Sequence, residues 1–147
     1  MSRRTPRILR RIHVTSRLLG FTKRRAPVGS APGTLVVAPE SPHPLIHLIS
    51  YTEAGVEERD IADPAALAAE LSRDGVVWVD VQGLGDEGVL RAIGEVFGVH
   101  PLALEDAVNV PQRPKSEADE QQQLFITRMV RLSDAGVITA EQVTVFI

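Results

Sequence analysis

The chain has 147 residues, of which 44% are hydrophobic and 24% charged, with a formal net charge of −3. That length suits one domain with a real core, and the absence of cysteine excludes a disulfide framework, a thiolate metal site and a thiol nucleophile. No stretch approaches the ~20 consecutive apolar residues of a membrane helix, so the chain as written reads as soluble.

The modest net charge hides an asymmetry. Nine of the 16 Lys and Arg fall in residues 1–25, which hold no acid, while residues 26–147 carry seven bases against 19 acids. An acidic body attracts cations and has no reason to seek nucleic acid. Residues 1–34 are expected to be a basic, disordered tail and linker, closing in the Pro/Gly/Ser/Ala stretch 26–33. Ile8, Leu9, Ile12, Leu18 and Leu19 could line a weak basic amphipathic helix that contacts anionic lipid. The arginines interrupt these apolar residues instead of preceding them, which is the wrong order for a secretory signal.

From residue 35 the pattern alternates. Residues 35–37 and 46–52 are β-rich, and 56–61 continue after a turn at 53–55. Asp63 as N-cap and Pro64 at the first position start a helix with Leu67 and Leu71 on one face, and Gly75 lies beyond its end. The run VVWVDV at 76–81 predicts a strand covered on both faces. A second helix is predicted over 86–97, with the stripe Val89, Leu90, Ile93, Val96 and Phe97, stopped by Gly98. A short helix starts at Pro101 with His100 at its N-cap and runs to about Val108, before Pro111 and Pro114. Residues 123–132 and 137–147 read as a hairpin joined through 133–136. The chain stops in mid-strand, which predicts a C-terminally incomplete domain over 35–147. The expected architecture is an α/β domain, layered α/β/α, with a mixed, partly antiparallel sheet.

Several residues are candidates for chemistry. Glu105 and Asp106 are neighbouring carboxylates on the short helix, with Leu104 and Val108 as its buried stripe. At ~100° per residue Asp106 then points to solvent and Glu105 sits at the border. The pair is either a solvated acidic surface or a source of hard oxygen ligands for Mg²⁺, Co²⁺ or Ca²⁺ that a second surface must complete. Asp80, inside the apolar run, needs a partner such as Arg113 or loop amides, a structural role before a catalytic one. His100 is expected to cap or pack. His13, His43 and His47 form no constellation. Gly83, Gly85 and Gly88 satisfy G-x-G-x-x-G between a strand and a helix, which a tight turn explains more simply than a dinucleotide. No nucleophile–base pair is visible, so the chain does not read as an enzyme.

In order along the chain stand W-V-D-V-x-G-L, I-G-E-x-F-G-x-H-P-L-x-L-E-D, N-x-x-Q-R-P-K-x-E and L-F-I. They are flanked by Y-T-E-A-G-V-E-E at 51–58 and E-Q-V at 141–143. Over about residues 46–147 this resembles the N-terminal domain of CorA magnesium/cobalt transporters. The resemblance implies a homopentameric channel in the cell membrane, with this domain on the cytoplasmic side and the membrane helices downstream. The stalk, those helices and the Gly-Met-Asn pore signature are missing here, so this chain cannot itself form the pore. It also implies that Glu105 and Asp106 are an inter-subunit regulatory half-site for weakly bound Mg²⁺, with Co²⁺ as a second ion. Two other readings are a zinc-transporting relative of the ZntB type and a soluble binding or adaptor module on the same fold.

Overall fold

The computed structural model describes the backbone of residues 8–16, and residues 26–147 with their side chains. Seven strands form one sheet: β1 (Ile8–Ser16), β2 (Leu45–Thr52), β3 (Gly55–Ile61), β4 (Val76–Gln82), β5 (Lys115–Ala118), β6 (Gln123–Leu132) and β7 (Ile138–Phe146). A 3-10 turn, Pro64–Ala66, runs into α1 (Leu67–Glu70); α2 spans Glu87–Val96 and α3 spans Pro101–Val108. The strand order is β3-β2-β4-β1-β7-β6-β5, in which β1 and β4 run parallel and the other neighbours antiparallel. This is the mixed, partly antiparallel α/β sheet that the sequence predicts.

The expected disordered tail is corrected at residues 8–16. That segment is β1, paired with β4 on one side and β7 on the other. Ile8, Ile12, Val14 and Thr15 are β-branched, which favours a strand over an amphipathic helix. Two neighbours also satisfy backbone groups on both edges. The proposed helical face through Ile8, Leu9 and Ile12 is therefore replaced; its other members, Leu18 and Leu19, lie outside the described residues.

Residues 35–37, predicted as β-rich, belong to no strand of the sheet. The Val36 amide donates instead to the side-chain oxygen of Asn109 at 2.8 Å. A side chain has taken the place of a ladder partner.

The helices of the described residues pack over one face of the sheet. Leu48, Val79, Val81 and Phe146 from the strands meet Leu67, Leu90, Leu104 and Val108 in one core. On β4 the burial alternates: Val77, Val79 and Val81 are buried, whereas Trp78 and Asp80 on the opposite face are half-buried. The predicted cover on both faces is uneven: one face is buried and the other, with Trp78 and Asp80, only half-buried. Asp80 Oδ2 accepts from the Gln82 side-chain amide at 2.9 Å, and its buried Oδ1 has no partner among the described residues, so Gln82, not Arg113, is its described neighbour.

Helix caps follow the expected chemistry. Asp63 accepts from the Ala65 amide at 2.9 Å, Asp86 from the Val89 amide at 3.0 Å, and His100 Nδ1 from the Leu102 amide at 3.2 Å. The helix after Asp63 is short, and its buried Glu70 is held by Arg59 at 2.6 Å and Arg73 at 2.9 Å.

Candidate functional site

The buried stripe of α3 is Leu104, Ala107 and Val108. Burying that stripe leaves Glu105 and Asp106 half-buried on the flanks of the helix, and the two carboxylates are committed to different partners.

Glu105 turns toward the segment ahead of β2. Its Oε2 accepts from the Gly33 amide at 2.7 Å, and its Oε1 lies 3.4 Å from the Asn109 side-chain amide. Asn109 is 5% exposed and reaches the same segment, through the Val36 amide at 2.8 Å and the Thr34 carbonyl at 3.4 Å. Two side chains one turn apart thus strap residues 33–36 to the end of α3. Gly33 has φ +82°, and an added Cβ would stand 2.9 Å from the Cβ of Pro101, so this crossing requires glycine.

Asp106 faces β5. Its Oδ2 accepts from Lys115 Nζ at 2.6 Å, and the same Nζ donates to Glu117 Oε1 at 2.8 Å. The Asp106 and Lys115 side chains are 31% and 28% exposed, so solvent screens this pair less than an open surface pair. Burial pulls the Lys115 ammonium down. The hydrogen bonds to Asp106 and Glu117 together outweigh burial, and the pKa is raised overall.

The connection between α3 and β5 sets where Lys115 stands. Gln142 on β7 is fully buried, and its side-chain oxygen accepts from the Gln112 amide at 2.7 Å and from Arg128 Nη1 at 3.2 Å. Arg128 Nη2 donates to the Gln112 carbonyl at 2.5 Å, and the Gln112 side chain donates to the Asn109 carbonyl at 3.0 Å. The loop therefore rests on polar side chains projecting from the sheet. Sequence reasoning singled out none of Gly33, Asn109, Gln112, Lys115 and Gln142 as site-building. Gly33, Asn109 and Gln142 act across long stretches of chain, and Gln112 and Lys115 act through an irregular connection, so periodicity carries no signal for them.

Beside Asp106 lies a cavity of about 260 Å³, bordered by Glu117, Asp119 and His100 and floored by Leu124 and Phe146. Asp119 accepts from the Gln121 and Gln122 amides, both at 2.8 Å, and these bonds hold its carboxyl below the usual range. Among the described residues no three His, Cys, Asp or Glu side chains converge to hold a metal ion. The histidines stay apart: His43 Nε2 stands 3.4 Å from Asp86, and His47 bonds Asp60 at 2.8 Å.

The glycine motif serves the chain's own backbone. The Gly85 amide donates to the Pro42 carbonyl at 2.7 Å, and a Cβ on Gly83 would stand 2.7 Å from that carbonyl oxygen and from that of His43. The close approach that glycine permits is filled by residues 42 and 43. Among the described residues no helix is long and apolar enough to cross a membrane.

No family model matches the chain. It is 31% identical over 102 residues to the cobalt/magnesium transport protein CorA of Thermotoga maritima, an alignment covering 69% of this chain. The chain spans 29% of that protein's length. It is CorA-like over most of its own sequence.

Proposed function

We propose that the chain is the cation-sensing, cytoplasmic domain of a CorA-type Mg²⁺/Co²⁺ transport protein, with Asp106 and Glu105 as half of a regulatory site between subunits. The observation that carries this reading is the position of Asp106. It stands at the border of a cavity, with Oδ2 on Lys115 and Oδ1 accepting no hydrogen bond from a described residue. A carboxylate with one free oxygen beside a water-accessible cavity suits Mg²⁺, which takes hard oxygen ligands and keeps several of its waters. Glu105 is the less available of the two, since Oε2 accepts from Gly33 and Oε1 lies 3.4 Å from the Asn109 side-chain amide; it would contribute through Oε1 by giving up that longer contact. The similarity to a cobalt/magnesium transport protein supports the choice of ion class.

In the pentameric assembly that we infer, the ion neutralises carboxylates contributed by adjacent subunits. Its departure leaves unit charges about 6 Å apart, which repel by roughly 3 kcal/mol at an effective dielectric of ~20. Repeated around a ring, that repulsion biases a gate; the domain reports ion concentration and catalyses no reaction.

The test is titration of the full chain with Mg²⁺ and with Co²⁺, followed by NMR at the Asp106 carboxylate. The expected affinity is about millimolar, since half of the ligand set is absent. Loss of Mg²⁺ binding by calorimetry in Asp106→Asn supports the reading. Submicromolar binding abolished by Asp106→Ala would overturn the half-site, and no response at Asp106 would overturn the sensor.

A further inference from the structure

A positive charge already stands on the proposed ligand. We propose that Lys115 is a built-in competitor for the cation, which binds Asp106 by pushing the Lys115 ammonium over to Glu117. The inference rests on the half-site reading and adds the device that sets its affinity.

Three observations carry it. First, Nζ lies between two carboxylates, 2.6 Å from Asp106 and 2.8 Å from Glu117, so it can leave one without losing the other. Second, the backbone ahead of Lys115 is fixed, because Gln142 and Arg128 hold Gln112. The four-carbon stem is then the part that swings. Third, Asp106 lines the cavity, and its Oδ1 accepts no hydrogen bond from a described residue, so a second oxygen is left for an ion before the ammonium has moved.

Electrostatics supply the direction. Asp106, Lys115 and Glu117 together carry one negative charge, and an ammonium on the same carboxylate repels a divalent ion. Removing a unit positive charge about 5 Å from such an ion is worth on the order of tenfold in affinity even at the dielectric of water. Lys115 therefore holds the threshold high, as sensing of an abundant ion requires. Glu117 is the resting place of the displaced ammonium.

The experiment uses the full chain in two arms. In the wild type, Mg²⁺ is titrated while the Lys115 Nζ resonance and the Asp106 carboxyl carbon are followed together by NMR. Both should shift along one binding curve. In Lys115→Met, Mg²⁺ affinity should rise about tenfold and stay dependent on Asp106, vanishing again in Lys115→Met/Asp106→Asn. Asp106 responding while Lys115 Nζ stays still, or Lys115→Met binding no tighter, overturns the competitor and leaves the half-site standing. No response at Asp106 in either protein overturns both. The wild-type arm decides the matter even where Lys115→Met fails to fold.

Discussion

The Glu105 carboxylate and the Gly33 amide are joined at 2.7 Å, although 72 residues separate them in sequence. A half-buried charged acceptor on a backbone donor is among the stronger hydrogen bonds of a fold, and losing it leaves an amide without its partner. Glu105→Ala should therefore cost about 1–3 kcal/mol of stability in urea unfolding and speed hydrogen exchange at Gly33. Glu105→Gln keeps an acceptor oxygen and should lose less. Equal, negligible losses in both variants would mean that the strap does not hold residues 33–36.

Local chemistry made much of this fold readable. Asp63, Asp86 and His100 each announce a helix start through a side chain that accepts an amide two or three residues on. The hairpin of β6 and β7 was legible from two β-rich runs around a short turn, and its first strand has the predicted bounds, Gln123–Leu132. β1 was obscured because Arg10 and Arg11 interrupt its apolar residues, so composition spoke for a tail while β-branching spoke for a strand. β5 is four residues long, mostly exposed, and carries no pattern. At the site, the acidic pair on α3 was visible from helical spacing. Its partners were not, because Gly33 and Lys115 reach it through tertiary crossings that no local rule encodes.

The glycine turn after β4 offers a second test. Gly83 has φ +98°, and a Cβ there would press on the carbonyl oxygens of Pro42 and His43. Gly83→Ala should lower stability by about 1–3 kcal/mol for the strained backbone, with the clash adding to it, as read by thermal unfolding. ATP and NAD should leave the melting temperature of the wild type unchanged, since the Gly85 amide is already bonded to Pro42. A nucleotide-dependent rise would show that the turn opens to bind phosphate.

His47 titrates above its ordinary value. The hydrogen bond that the ring donates to Asp60 across β2 and β3 is the main cause, and Glu58 adds to it while burial opposes. Folding therefore favours the protonated ring. Its contribution to stability is complete below the unfolded-state pKa and is lost as pH rises through the raised folded-state value. NMR of the His47 ring should find the raised pKa in the wild type and a return toward the ordinary value in Asp60→Asn. An unchanged midpoint in that variant would count against the cross-strand bond.

Gln142 explains why a polar residue occupies a fully buried position on β7. Its side-chain oxygen accepts from Gln112 and Arg128, and its side-chain nitrogen lies 3.4 Å from the Thr144 hydroxyl. Gln142→Leu conserves most of the volume but leaves the Gln112 amide without its acceptor. It should cost about 1–3 kcal/mol. Thr144→Val breaks a long contact between two side chains and should cost less. Arg128 grips the same loop through the Gln112 carbonyl, so the losses in Gln142→Leu and Arg128→Met should not add. A double-mutant cycle by urea unfolding should give a coupling above about 0.5 kcal/mol. Additivity within that margin would show that the two side chains hold the α3–β5 connection independently, and the fixed stem assigned to Lys115 would lose its support.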